Sequence, residues 1–243
     1  SGAGDFDVVR GSGATRVNKD GLIETMASNE PRLDYTDGGC PSLLLEPQST
    51  NLVTYSEDFS QWASGGDTTI ESGYLAPDGT NNAYKVSGTD NALALNIGLS
   101  TTTTRSVYAR TVSGTGVANL CSFNSNTNNL FTITEQWQRF EVNSSISTGA
   151  TSFYAVDFRG GTTLSEIIIW GANATNDQDY ATSYIATSGA IATRLADVIT
   201  VDLTSFSLTS ITETIDGVEQ TPITVIPSTY TIPQGRINKI TMI

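Results

Sequence analysis

Four acidic residues in two short motifs are the side chains whose spacing comes closest to a metal site. Glu57 and Asp58 are neighbours in "SEDF", and Asp177 and Asp179 stand two apart in "NATNDQDY". Carboxylate oxygens are the ligands that Ca²⁺ prefers, so these four side chains are the candidate ligands of a structural calcium ion. No EF-hand loop follows the second pair, and the alternative is that all four are solvated loop residues. Nothing in the sequence requires a cofactor.

Paired carboxylates also hydrolyse glycosidic bonds when two acids face each other across a cleft. The candidates for such a pair are Glu57, Asp58, Asp157 and Glu166. Among 25 aspartates and glutamates, no spacing selects two of them. The chain also contains no histidine, which removes the most common general base and the Ser-His and Cys-His nucleophile pairs. We therefore predict that the protein is not an enzyme.

Aromatic side chains offer a different chemistry, because they line ligand pockets and can stack on sugar rings. Trp170 lies in the apolar run "EIIIWGA" and Trp137 opens an alternating segment, so packing is the favoured role for both. Trp62 precedes a Gly-Gly step and is predicted to be partly exposed. The candidate carbohydrate-binding residues are Trp62, Tyr74, Tyr84 and Tyr154.

The composition indicates which elements position these side chains. Hydrophobic residues make up 38% of the 243 residues and charged residues only 15%; Thr, Ser, Asn and Gly supply most of the polarity. Such a chain has too little charge for disorder and too few strong helix formers for long helices. A formal net charge of −13 repels phosphate backbones, and no apolar run approaches the ~20 residues of a membrane span. We predict an all-β protein with no nucleic-acid partner and no membrane insertion.

The two cysteines, Cys40 and Cys121, lie far apart in the sequence. Two cysteines do not make a disulfide framework. A single bridge and two free thiols both fit the sequence, and the choice between them stays open.

Period-two alternation marks the middle of the chain. In "RSVYARTV" and "QWQRFEVN", side chains of different polarity fall on opposite faces of a strand. "EIIIWGA" is almost continuously apolar, as expected for a central strand that is buried on both faces. Strands of this length, separated by Ser, Thr, Asn and Gly, predict a jelly-roll β-sandwich over residues 51–190.

Shorter β segments flank this predicted sandwich. Residues 1–50 contain brief strand-like pieces separated by Asp-Gly and Asp-Gly-Gly turns, and they predict an N-terminal β-hairpin arm for assembly. These pieces are too short to form a core alone, so we expect them to lie against the next segment or another subunit. Residues 191–243 carry Asp216-Gly217 between alternating strands, which predicts a short C-terminal hairpin segment.

Several long segments resemble a family of tailed-phage and prophage virion proteins, chiefly from phages of Bacteroidetes-type hosts. The segments are "ATRVNKDGLIET", "NEPRLDYTDGGCPSLLLEPQSTNLVTYSEDFSQW", "WQRFEV" and "IIIWGANATNDQDYATSYIATSGAIATRLADV". In that family an N-terminal β segment precedes a jelly roll similar to a carbohydrate-binding module. The resemblance implies a fibre, spike or head-decoration component, and it supplies no catalytic motif. Family members usually have further residues before "GDF", so "SGAGDF" is expected to be an internal start.

The residues and the resemblance together predict a virion component that displays its jelly roll for attachment to host-surface glycans. We expect it on the virion surface, as a homotrimer in contact with other virion proteins. The main alternative is a purely structural fibre adaptor or capsid decoration protein without a ligand. A polysaccharide-degrading enzyme is a third hypothesis, which a pair of carboxylates facing each other across a cleft would favour.

Overall fold

The computed structural model describes residues 6–97, 102–123, 129–146, 152–176 and 178–243. The chain forms two compact units: one consists of residues 50–193, and the other combines Ser1–Ser49 with Arg194–Ile243. We call them the central unit and the terminal unit. Within the described ranges, no helix is long and apolar enough to cross a membrane.

The secondary structure of the described residues consists of 22 strands and one 3-10 turn at Phe59–Gln61. The first six strands are β1 (Phe6–Val9), β2 (Ala14–Val17), β3 (Ile23–Met26), β4 (Leu33–Asp34), β5 (Ser42–Leu45) and β6 (Ser49–Asn51). The next ten are β7 (Ala63–Ser64), β8 (Thr69–Tyr74), β9 (Ala83–Ser87), β10 (Ala92–Asn96), β11 (Thr102–Arg110), β12 (Gly116–Phe123), β13 (Leu130–Ile133), β14 (Gln138–Ile146), β15 (Ser152–Asp157) and β16 (Glu166–Asn176). The last six are β17 (Ala192–Arg194), β18 (Val198–Asp202), β19 (Ile211–Ile215), β20 (Val218–Glu219), β21 (Thr229–Thr231) and β22 (Gly235–Met242).

The central unit is a β-sandwich of two five-stranded antiparallel sheets. Their strand orders are β13-β12-β15-β10-β7 and β14-β11-β16-β9-β8. Leu93, Leu120 and Phe153 from the first sheet meet Val107 and Ile167 from the second in one buried core. This arrangement confirms the predicted all-β fold with a jelly-roll sandwich.

The strand β16 shows why its sequence is apolar throughout. It is the middle strand of its sheet, and Ile167 and Ile169 belong to the core between the sheets. Ile168 and Trp170 point to the opposite face, yet they are only 2% and 1% exposed. The strand is therefore buried on both faces, as the run "EIIIWGA" predicts.

The terminal unit is built from both ends of the chain. Its strands form sheets in the orders β1-β18-β21 and β20-β19-β22-β5-β4, together with the hairpin β2-β3. Side chains from both ends share its core: Leu45 packs with Ile199, Ile211 and Ile237. The sequence predicts separate segments at residues 1–50 and 191–243, whereas residues 1–49 and 194–243 belong to a single compact unit.

The predicted C-terminal hairpin is present, with Asp216 and Gly217 between β19 and β20. Ile215 and Val218 pair across the turn, and the φ angles of Asp216 and Gly217 are 51° and 78°. Positive φ at both central residues matches the twist of the two strands, and the Asp-Gly pair is well suited to that geometry.

A buried ion cluster lies inside the terminal unit. Asp197 accepts hydrogen bonds from Arg10 at 2.8 Å and from Arg32, and Glu46 accepts one from Arg32 at 2.8 Å. Arg194 lies 3.5 Å from Glu46 and 3.6 Å from Asp197. Buried charges need such partners to offset their lost hydration, so the cluster ties the N-terminal segment to the residues after Arg194.

The two cysteines are both free. Cys40 is exposed and Cys121 is buried. Burial raises the pKa of the Cys121 thiol to about 12, so this thiol is protonated at neutral pH.

Candidate functional site

An open pocket of about 390 Å³ lies in the central unit, at the loop end of the β8–β9 hairpin. The described residues that line it are Glu57, Asp58, Ser72, Asn81, Asn82, Tyr84, Thr187 and Ser188. Three of the residues singled out in the sequence, Glu57, Asp58 and Tyr84, meet here. The structure thus joins part of the predicted metal set to part of the predicted sugar-binding set.

Asp58 is held in place by the 3-10 turn that it caps. Its Oδ1 atom accepts hydrogen bonds from the backbone N–H of Ser60 at 3.1 Å and from the Ser60 hydroxyl at 2.5 Å. The Tyr84 hydroxyl donates to the same oxygen at 2.9 Å. The hydrogen bond from the Ser60 side chain is the main reason that the pKa of Asp58 lies below its usual value. This carboxylate is charged and fixed in orientation.

Glu57 has donors on both carboxylate oxygens. The Tyr184 hydroxyl donates to Oε1 at 2.7 Å, and the Asn82 amide donates to Oε2 at 2.8 Å. Burial raises the pKa of Glu57, and the nearby charge of Asp78 raises it further, while the two hydrogen bonds act in the opposite direction. The side chain is half-buried and has a single preferred orientation.

Other side chains fix the two donors that reach Glu57. The indole Nε1–H of Trp170 donates to Asn82 Oδ1 at 2.8 Å, which directs the amide nitrogen of Asn82 towards the carboxylate. The Tyr184 ring packs on Trp170 with centroids 4.6 Å apart, and its hydroxyl lies 2.7 Å from Ser56 Oγ. Trp170 is a core side chain as predicted, and it also orients the pocket. No local motif marks Asn82 or Tyr184 in the sequence.

Trp62 is not exposed as the sequence suggested. It is only 5% exposed and belongs to the core of the sandwich. Its Nε1–H donates to the backbone carbonyl of Tyr55 at 2.9 Å, and its ring contacts Phe59 and Phe153. The 3-10 turn directs the indole inwards, and the ring offers no face to a sugar.

The remaining aromatic candidates have separate positions. The Tyr84 ring packs edge-on against Phe59, with centroids 5.7 Å apart, and forms part of the pocket wall. Tyr74 donates to Glu71 at 3.0 Å, and Tyr154 lies under the guanidinium of Arg159 at 5.6 Å. Neither Tyr74 nor Tyr154 is among the described residues that line the pocket.

The described members of the predicted calcium-ligand set do not all lie in the pocket. Asp179 is exposed and is not one of the described lining residues, and Asp177 lies outside the described residues. Over the described ranges, no three or more acidic, cysteine or histidine side chains form a group that could hold a metal. The calcium ion stays a prediction.

The other two carboxylates considered for hydrolysis lie elsewhere. Asp157 is fully buried and forms an ion pair with Arg159 at 2.7 Å. Glu166 is the first residue of β16. Neither joins Glu57 and Asp58 among the described residues of the pocket.

Comparison with solved structures finds proteins of low sequence identity. The C-terminal family 22 carbohydrate-binding module of Clostridium thermocellum Xyn10B matches with a TM-score of 0.38 and 14% identity, over 57% of this chain and 96% of that chain. The family 11 carbohydrate-binding module from Clostridium thermocellum, in complex with a β-1,3-1,4-mixed-linked tetrasaccharide, matches with a TM-score of 0.34 and 10% identity. The match covers 55% of this chain and 98% of that chain. The enzymatically active domain of tailspike protein 4 from bacteriophage CBA120 matches with a TM-score of 0.33 and 12% identity. The match covers 51% of this chain and 21% of that chain.

No protein-family model matches the chain, and no curated protein sequence matches it. The central unit is a sandwich because its two five-stranded sheets share one buried core.

Proposed function

We propose that the central unit binds carbohydrate in the pocket between Glu57, Asp58 and Tyr84, without catalysis. The observation that carries the proposal is the fixed orientation of Glu57, whose two oxygens are each held by a donor that is itself held by another side chain. Sugar hydroxyls donate to such carboxylates, and a hydrogen bond to a charged group contributes about 1.5–3 kcal/mol. A volume of about 390 Å³ also falls in the range of about 300–1,000 Å³ that is typical of ligand sites.

The polar groups of the pocket suit a hydroxyl-rich ligand. Asn81, Ser72 and Ser188 add neutral hydrogen-bonding side chains around the two carboxylates, and Tyr84 adds an aromatic wall. An open pocket of this kind gives modest affinity for one glycan chain. Several copies on one particle raise the effective affinity without new contacts.

The proposal extends to attachment of a phage to its host. The sequence resemblance to virion proteins supports display on a fibre, spike or head decoration at the virion surface. We propose a homotrimer that contacts other virion proteins and presents its pockets to the glycans of the host envelope.

A purely structural role is a second candidate, favoured by apolar side chains that the terminal unit exposes. Phe6 is 55% exposed, Ile243 69% and Val225 86%. Large exposed apolar side chains are used in subunit contacts when they form a continuous patch. This role predicts a stable oligomer that binds no fraction of the host surface.

The experiment that tests the proposed function measures binding of the purified full chain to a glycan array and to host envelope fractions, with and without EDTA. Ser72 is exposed on β8 and lines the pocket, so Ser72→Trp fills the pocket without disturbing the core. Thr132 is exposed on β13 of the other sheet, and Thr132→Trp is the matched control.

We expect the wild type and Thr132→Trp to bind, and Ser72→Trp to lose binding. Binding that Ser72→Trp leaves unchanged, or no binding by the wild type to any array member or envelope fraction, would contradict the proposal. Loss of binding in EDTA would support the predicted calcium ion.

A further inference from the structure

The described hydrogen bonds leave open acceptor sites on both carboxylates of the pocket, Glu57 and Asp58. The hydroxyl hydrogen of Tyr84 is used on Asp58, and that of Tyr184 is used on Glu57. A carboxylate has about four lone-pair sites, and the described bonds fill only one on each oxygen of Glu57. From the described residues, Oδ2 of Asp58 receives only a long bond, from Gln61 at 3.4 Å. A ligand that supplies donors therefore fits these groups best.

The two charged side chains among the described lining residues, Glu57 and Asp58, have the same sign. None of the described residues that line it is a lysine or an arginine. The charged group that acts on Glu57 is Asp78, another carboxylate, and the whole chain carries a formal net charge of −13. A uronate or sialate carboxylate would meet two further carboxylates, and none of the described lining residues supplies a cation to offset the repulsion.

We propose that the pocket selects sugars with a free amino group, such as de-N-acetylated hexosamines, over their neutral counterparts, and that it rejects acidic sugars. The inference rests on the proposed carbohydrate-binding function. An ammonium group supplies three donors and no acceptor, which matches the open oxygens of Glu57 and Asp58. Hydrogen bonds from the ammonium group to these carboxylate oxygens have charge on both partners, so they are stronger than hydrogen bonds from a neutral hydroxyl.

Calorimetric titration of the full chain with four short oligosaccharides of equal length tests this preference for amino sugars over neutral and acidic sugars. The probes are oligomers of glucosamine, N-acetylglucosamine, glucose and galacturonate, at pH 6.5 and physiological ionic strength to limit general attraction to an acidic protein. We expect the glucosamine oligomer to bind about tenfold more tightly than the two neutral oligomers, and the galacturonate oligomer not to bind.

Variants of the pocket residues test whether the preference for the glucosamine oligomer arises in the pocket. Glu57→Gln and Asp58→Asn should each bring the affinity for the glucosamine oligomer to the level of the neutral ones. Glu141 is exposed on β14, at the edge of the sheet opposite β8, so Glu141→Gln removes the same charge outside the pocket and should change nothing. Ser72→Trp should abolish binding of the glucosamine oligomer, which separates the pocket from general attraction even if Glu57→Gln fails to fold.

Equal affinity for the glucosamine and neutral oligomers would overturn the selection and leave the proposed function standing. Amine binding that persists in Ser72→Trp would also overturn it. Absence of binding to all four oligomers would overturn the selection too, and the envelope-fraction assay would then decide the proposed function separately.

Discussion

Replacing Asp197 by asparagine should destabilise the terminal unit strongly. Asp197 is 4% exposed, and its two oxygens accept from Arg10, Arg32 and the backbone N–H of Glu46. An asparagine side chain has one acceptor oxygen and no charge. The substitution therefore removes the carboxylate that the buried guanidinium groups of Arg10, Arg32 and Arg194 share.

The size of the expected loss of stability follows from the burial of the arginines that surround Asp197. Arg10, Arg32 and Arg194 are each 1% exposed, so water cannot replace the lost carboxylate. Removing one partner of a buried ion pair costs about 3–5 kcal/mol, because the remaining charge stays buried without compensation. We expect the free energy of unfolding of the terminal unit to fall by this amount.

Urea unfolding of the full chain measures the loss. All three tryptophans lie in the central unit, so their fluorescence reports on that unit, while far-UV circular dichroism reports on both. Asp20→Asn is the control, since Asp20 is exposed and pairs with an exposed lysine; its unfolding curve should match the wild type. A loss below about 1 kcal/mol in Asp197→Asn would refute the idea that the cluster holds the two ends of the chain together.

Three further predictions concern single positions. Trp170→Phe keeps an aromatic ring but removes the donor to Asn82, so the affinity for a glycan that the wild type binds should fall about tenfold in a calorimetric titration. Trp62→Phe should leave that affinity unchanged. Cys40 should react with a thiol reagent in the native protein and Cys121 only after unfolding, because Cys121 is buried with a pKa raised to about 12; equal native rates measured by mass spectrometry would contradict this. Gly217→Ala should lower the free energy of unfolding by about 1 kcal/mol, because Gly217 has a φ of 78°, and an unchanged urea midpoint would argue against a strained turn.

Local patterns in the sequence were sufficient to predict some strands of the sandwich. The alternation around Val107 corresponds to β11, and the apolar run around Trp170 corresponds to β16. Burial of one face of a strand leaves an alternating pattern and burial of both faces leaves an apolar run, and either is visible within a few residues. Asp216-Gly217 was likewise sufficient for the hairpin, because the required φ angles favour those residues.

Long-range contacts could not be predicted in this way. Glu57 contacts Tyr184, 127 positions away, and Arg10 contacts Asp197, 187 positions away. Such contacts depend on strand order and register, which a single sequence does not encode in any local period. The predicted exposure of Trp62 is wrong for a related reason: the inward direction of its side chain is set by the 3-10 turn before it and by contacts with Phe153 in a distant strand.

The most direct test of glycan binding in the pocket is the indole N–H spectrum of ¹⁵N-labelled protein during titration with a glycan that binds on the array. Trp170 donates to Asn82 in the pocket, Trp62 donates to the backbone of Tyr55 in the core, and Trp137 lies against Arg110 next to β14, at the far edge of the sheet. We expect the Trp170 indole resonance to shift with saturation while the other two stay in place. A saturable shift of Trp137 or Trp62 with Trp170 unmoved would place the glycan elsewhere and contradict the account.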